Sequence, residues 1–255
     1  MKDRFSQQAN IYAKFRPEYP SVLYDFILKN TENRSIAWDC ATGNGQAAKV
    51  SAQYFEKVYA TDISQKQIDN ATKADNIEYS ISSAEKTPFE DNTFDLITVA
   101  QAAHWFDFDT FYDEVKRVAK PNATLAVWGY GTISVDDENV DNLLQNFYWN
   151  VIGKYWDAER KHIDNHYETL PFPFENVENQ KFSMVFNWHR YELEGYLNTW
   201  SSVQNFINSI ENSDKIGKGY NPIPNLMLDI SAYWHEYNRI TVLFPIFLKL
   251  SKIKP

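Results

Sequence analysis

Between Ile36 and Trp128 the chain alternates short apolar runs with segments whose apolar residues recur at helical spacing. Ile36-Ala-Trp38, Lys57-Val-Tyr-Ala-Thr-Asp-Ile63, Ile77-Glu-Tyr-Ser-Ile81, Phe94-Asp-Leu-Ile-Thr-Val-Ala100 and Thr124-Leu-Ala-Val-Trp128 read as strands. Helical patterns fill the gaps. Gln46 to Val50 carries good helix formers, Ser64 to Ala74 begins on a capping serine, and Phe111 to Val118 turns Phe111, Val115 and Val118 to one side. This alternation predicts an α/β fold with a doubly wound, mostly parallel sheet, because parallel neighbours need crossover connections.

The flanks are less regular. Phe5, Ala9, Tyr12 and Phe15 have the spacing of a short helix ended by proline, and Ser21 to Asn30 is a helix for the sheet to cover with Leu23 and Ile27. Beyond Gly129, Val140 to Tyr155 reads as an aromatic-rich helix over one rim, Phe182 to Trp188 as a strand and Leu193 to Ile210 as a helix. Thr241 to Leu248 is the last strand, and Pro245, which has no N–H to donate, predicts an edge position or a bulge there. The expectation is one domain over residues 1–255, with a cap segment at 1–30 and helical insertions at 130–175 and 191–235.

The chemistry gathers where strands end, which is where open α/β sheets bind ligands. Ile36-Ala-Trp38 runs into Asp39-Cys-Ala-Thr-Gly-Asn-Gly45 and then a helix, so Gly43 and Gly45 allow backbone to approach a ligand closely. A carboxylate at the strand end suits a ligand with a cationic end better than a pyrophosphate, whose site is uncharged and glycine-rich. The next strand ends in Asp62, placed to accept from both hydroxyls of a ribose. The fourth ends in Gln101-Ala-Ala-His-Trp-Phe-Asp107, which brings His104 and Trp105 to the same rim.

Acidic residues outnumber basic ones, 34 to 25, for a net charge of −9, which opposes nucleic acid or an anionic membrane as partner. Cys40 is the sole cysteine, so no intramolecular disulfide forms. The first residues lack an apolar signal core and the run Ile240 to Leu248 is too short to span a bilayer, so a cytoplasmic protein is expected. His162 and His166 have a metal-binding spacing but no evident third ligand, so no metal is expected.

The acid followed by Ala41-Thr-Gly43-Asn-Gly45, with Asp62 one strand later, resembles the class I methyltransferases that use S-adenosylmethionine; Ala41 departs from their first glycine. The aromatic opening segment with Arg16-Pro17-x-Tyr19-Pro20 and the run Ala102-Ala-His-Trp-Phe106 are similar to the trans-aconitate methyltransferase group, particularly fungal members. The resemblance implies a Rossmann-like seven-stranded sheet with the last strand antiparallel and helical cap elements. It implies S-adenosylmethionine as cofactor, held by Tyr12, Asp39, Ala41, Thr42, Gly43, Gly45, Asp62, Ile63, Ser83, Ala84, Glu85 and Gln101. His104, Trp105, Tyr12 and Arg16 become the residues around the reacting groups, and the acceptor a small molecule such as an organic acid, with His189 and Arg190 as further anion partners. A nicotinamide-dependent oxidoreductase and a non-catalytic S-adenosylmethionine-binding module are the alternatives. The sequence leaves the oligomeric state open.

Overall fold

The computed structural model describes residues 15–211 and 220–254. Five parallel strands form its centre: β1 (Ile36–Cys40), β2 (Lys57–Asp62), β3 (Ile77–Ile81), β4 (Phe94–Ala100) and β5 (Ala119–Tyr130). A two-residue β6 (Ser134–Val135), then β7 (Glu178–Trp188) and β8 (Ile240–Lys252) complete it. The order is β3-β2-β1-β4-β5-β8, with β7 on the far side of β8 and β6 continuing the β5 side. β8 is antiparallel to its neighbours, so the seven long strands form the expected Rossmann-like sheet with the last strand reversed.

Strand alternation sorts the core into two layers, since successive side chains leave opposite faces. Ala37, Leu96, Ala126, Trp128, Ile246 and Leu248 face one layer, whereas Trp38, Ile97, Val99, Leu125, Val127 and Phe247 face the other. The first layer takes α1 (Ser21–Lys29) through Leu23 and Ile27, and α2 (Gln46–Ser51) through Ala47 and Ala48. The second takes α4 (Phe108–Val118) through Phe111, Val115 and Val118, all fully buried. Each such side chain contributes about 1.5–3 kcal/mol by leaving water. Asp107 starts α4 by accepting from the Thr110 N–H at 3.0 Å.

Several local expectations need correction. The helix after Ser64 is short, α3 (Gln65–Asp69), and the predicted Val140–Tyr155 helix is α5 (Glu138–Asn146) running into a wider π-type turn at Phe147–Val151. The predicted Leu193–Ile210 helix breaks into α7 (Arg190–Leu197) and α8 (Ser201–Glu211), with the chain turning at Thr199 and Trp200. α6 (Arg160–Asp164) and α9 (Ile223–Ile230) lie in the remaining connections. Pro245 marks a bulge and not an edge: β8 is flanked on both sides, and Pro245 faces the gap between β5 and β6, across which the register shifts by one residue, from Tyr130 opposite Ile246 to Ser134 opposite Leu243. Its carbonyl accepts from the Gly131 N–H at 2.9 Å in that gap, where a missing donor leaves no ladder bond unmade.

Candidate active site

The turn after β1 is held in a left-handed curl: Ala41, Gly43 and Gly45 have φ of 52°, 57° and 82°. Ala41 accepts the strain of a β-carbon at the first of these positions, whereas a β-carbon on Gly45 would collide with the Tyr79 hydroxyl. Asp39 supplies the fixing force. Its carboxylate accepts from the Thr98 hydroxyl at 2.8 Å, from the Ala48 N–H at 2.9 Å and from the Thr42 hydroxyl. Complete burial pushes its carboxyl up to about 6, against the lowering effect of those hydrogen bonds. Asp39 is therefore turned into the protein and is absent from the cavity wall, where a direct ligand contact was expected.

A large cavity opens beside this turn and encloses about 1350 Å³ counted to its open mouth. Thr42, Gly43, Asp62, Ile63 and Gln101 line it together with Arg16, His104 and Trp105. Asp62 accepts from the Gly43 and Ser64 N–H groups, each at 2.9 Å, so the second strand's acid also tethers the first strand's turn. Gln101, at φ 56°, ties the end of β4 to β5: its Oε1 accepts from the Tyr130 N–H at 2.7 Å and its Nε2 donates to the Tyr130 carbonyl at 3.2 Å.

Ser83, Ala84 and Glu85 do not line this cavity. Ala84 is buried in the second core layer, and Glu85 accepts from the Asp107 N–H at 3.3 Å. His189 and Arg190 are also elsewhere: His189 opens α7, and Arg190 donates to the Trp234 carbonyl at 3.2 Å. Tyr12 lies outside the described residues. His162 is on α6 but His166 lies beyond its end at φ 51°, and no cluster suited to a metal occurs among the described residues.

His104 sits in a short 3-10 turn, Ala103–Trp105, buried to 7% exposure, with Nδ1 3.0 Å from the Tyr167 hydroxyl. Desolvation, then the charges of Arg160 and His162, push the imidazole down to about 3, so it is neutral at physiological pH. Arg16 donates to the Tyr130 hydroxyl and, at 3.3 Å, to the Thr199 carbonyl, and lies against the Tyr130 and Tyr196 rings. This guanidinium stitches the N-terminal segment to β5 and to the α7–α8 break.

The opposite wall contains Trp200 and four residues that the sequence did not single out, Trp156, Asp157, Arg160 and Tyr196. Arg160 Nε donates to the Tyr148 hydroxyl at 2.8 Å and to Asp164 at 3.3 Å, and its guanidinium carbon lies 4.4 Å from the Trp156 ring centre. Its two terminal nitrogens make no hydrogen bond to the described residues. The aromatic-rich stretch from Val140 to Tyr155, read as covering one rim, was the sequence signal for this wall.

The fold, a glycine turn at the carboxyl end of β1 and a strand-end acid on β2 define a nucleoside-cofactor enzyme of the doubly wound class. Residues 38–127 match the family profile described as a methyltransferase domain. A methyltransferase-family protein of Dictyostelium discoideum is 37% identical over 98% of this chain and 95% of its own. A solved structure from Anaeromyxobacter dehalogenans, described as a type II methyltransferase, is 33% identical with a TM-score of 0.83, covering 94% of this chain and 99% of that one. A Saccharomyces cerevisiae protein described as an S-adenosylmethionine-dependent methyltransferase is 27% identical over 60% of this chain and 56% of its own. The chain belongs to the class I S-adenosylmethionine-dependent methyltransferases, and S-adenosylmethionine is its cofactor. That membership displaces the oxidoreductase alternative. Among the described residues no helix is long and apolar enough to cross a membrane.

Proposed function

We propose that this enzyme methylates the carboxylate of a small organic acid in the cytoplasm. The observation that carries the reading is the continuity of one cavity, from the left-handed turn and Asp62 to a wall where Arg160 offers two terminal nitrogens among aromatic rings. A guanidinium so held recognises a planar anion through paired hydrogen bonds. The similarity of the opening segment and of Ala102-Ala-His-Trp-Phe106 to the trans-aconitate methyltransferase group supports an acid acceptor. The chain's net charge of −9 disfavours nucleic acid.

The residues present suit the cofactor: the curl at Ala41–Gly45 leaves backbone open at the cavity, and Asp62 places a carboxylate beside it. When bound, S-adenosylmethionine supplies an electrophilic methyl on a positively charged sulfur. In this reading Asp62 accepts from the ribose hydroxyls, and Thr42, Gly43, Ile63 and Gln101 enclose the rest. Tyr12 donates to the methionine carboxylate. Trp105 offers its ring face to the sulfonium. The aromatic wall excludes water and holds the acceptor in line, about 3 Å from the methyl.

Calorimetric titration with S-adenosylhomocysteine, followed by a labelled-donor screen of carboxylic acids and amines, tests the proposal. Micromolar binding and label transferred to acids are expected. Binding with no turnover across both panels would favour a non-catalytic binding module.

A further inference from the structure

Tyr167 is fully buried, and a buried phenol has to donate its proton somewhere. Among the described residues its hydroxyl has one hydrogen-bond partner, His104 Nδ1 at 3.0 Å. If Nδ1 carried a proton, two donors would face each other and the phenolic O–H would have no acceptor.

The backbone is bent to deliver this contact. His166 and Tyr167 have φ of 51° and 58°, two successive non-glycine residues in the left-handed region. The Tyr167 N–H donates to the His162 carbonyl at 2.7 Å, closing a turn at the end of α6, and the ring packs 4.8 Å from Phe247. Such conformations persist only where the surroundings over-determine them, and they cluster at functional sites.

We infer that Tyr167 is a positioning residue that fixes the His104 tautomer with the proton on Nε2, so that the cavity meets an N–H donor there and the acceptor is an oxygen anion rather than an amine. His104 lines the cavity, and its Nε2 makes no hydrogen bond to the described residues. An Nε2 that already carries hydrogen has no lone pair with which to take a proton from an acceptor. It can donate to a carboxylate oxygen, which keeps further lone pairs for the methyl. That oxygen bonds to the methyl carbon as the carbon–sulfur bond breaks, giving a methyl ester and S-adenosylhomocysteine, and no proton changes hands. An ammonium acceptor would first have to lose a proton and could not accept from Nε2.

The inference rests on the proposed methyl transfer to an acid, but its first test needs no acceptor. With histidine labelled in ¹⁵N, His104 in the intact protein should show Nδ1 as the unprotonated nitrogen and Nε2 as the protonated one, assigned by loss of the signals in His104→Ala. A protonated Nδ1 would overturn the inference whether or not the enzyme methylates acids. Tyr167→Phe should mix the two tautomers and slow turnover about tenfold, the worth of one hydrogen bond, while S-adenosylhomocysteine affinity holds. If that variant does not fold, His104→Gln decides the point, because glutamine retains an N–H donor but cannot be a base. His104→Gln is expected to be about tenfold faster than His104→Ala; equal rates would sink the donor role. The rate with an acid should lack an inflection near a histidine pKa, although Arg160, His162, Tyr167 and Asp157 all stand near this site. Faster turnover of an amine than of any acid would overturn the acceptor assignment.

Discussion

Thr42, Gly43 and Asp62 reach the cavity on one side, and Trp156, Arg160 and Trp200 reach it on the other, by different routes. The first group follows strand ends. β1 and β2 are hydrogen-bonded neighbours in parallel register, Cys40 beside Thr61, so the turn after one and the acid after the other must be adjacent. Backbone does most of the work there: the Thr42 N–H donates to the Thr61 carbonyl at 2.9 Å and Asp62 accepts from the Gly43 N–H. The second group lies in connections beyond β5, and its members meet only through side-chain packing. Arg160 rests on Trp156 and Tyr148, and Trp156 in turn lies 5.6 Å from Trp200. A site half built from backbone tolerates little change in geometry, whereas a wall of side chains can be altered residue by residue. This asymmetry suits an enzyme whose donor is common to its family and whose acceptor is its own.

Asp62→Ala gives the largest expected effect on this comparison. It removes the proposed acceptor for the ribose and the tether of Gly43 together, and donor affinity should fall on the order of 100-fold, as for lost hydrogen bonds to a charged group. Unchanged affinity for S-adenosylhomocysteine by calorimetry would remove Asp62 from the donor side.

Acid titration separates His104 from the turn. The folded imidazole stays neutral down to about pH 3, while the unfolded one protonates near 6.5, so the unfolded state binds more protons in between. Stability is therefore lost as pH falls through that window. Between about pH 7.5 and 5, wild type should lose about 2 kcal/mol more than His104→Gln in urea unfolding, that being ~1.5 pH units of linkage. Parallel losses would show that the imidazole titrates normally. Asp39 acts in the opposite sense: its raised carboxyl keeps the folded state protonated up to about pH 6, so its contribution is lost as pH rises from 3.8 to that value.

Arg160→Gln sharpens the contrast most narrowly. Acceptor KM should rise roughly tenfold, equivalent to one charge-assisted hydrogen bond, with S-adenosylhomocysteine affinity held. Thermal unfolding alongside it accounts for the lost contacts to Tyr148 and Asp164. A change in donor affinity of the same size would mean that the two sides of the cavity are not separable.

Much of the turn side was legible because its chemistry is local. An acid, a glycine-bearing turn and a second strand-end acid stand within one strand-helix-strand unit, and parallel pairing supplies the proximity. Even so, the sequence could not show that Asp39 turns inward; that depends on Thr98, which reaches it from β4. Nor could it show that Ser83 to Glu85 fall away from the cavity wall, where Glu85 is drawn to the start of α4. Arg16 was expected around the reacting groups, and the partners that hold it, Tyr130 and Thr199, are distant in the chain.

Hydrophobic periodicity by itself determined the seven long strands, the doubly wound, parallel arrangement of the first five, and the rim on which Asp62 and His104 had to meet, because side-chain alternation and right-handed crossovers leave few other solutions. Only the tertiary structure decided which groups complete that rim. Trp156, Arg160, Tyr167 and Trp200 carry no periodic or spacing signal that marks them, and their roles arise from contacts between connections far apart in sequence. The proton on His104 is the sharpest case: nothing in Gln101-Ala-Ala-His-Trp-Phe106 specifies it, and a buried hydroxyl beyond α6, 63 residues along the chain, assigns it.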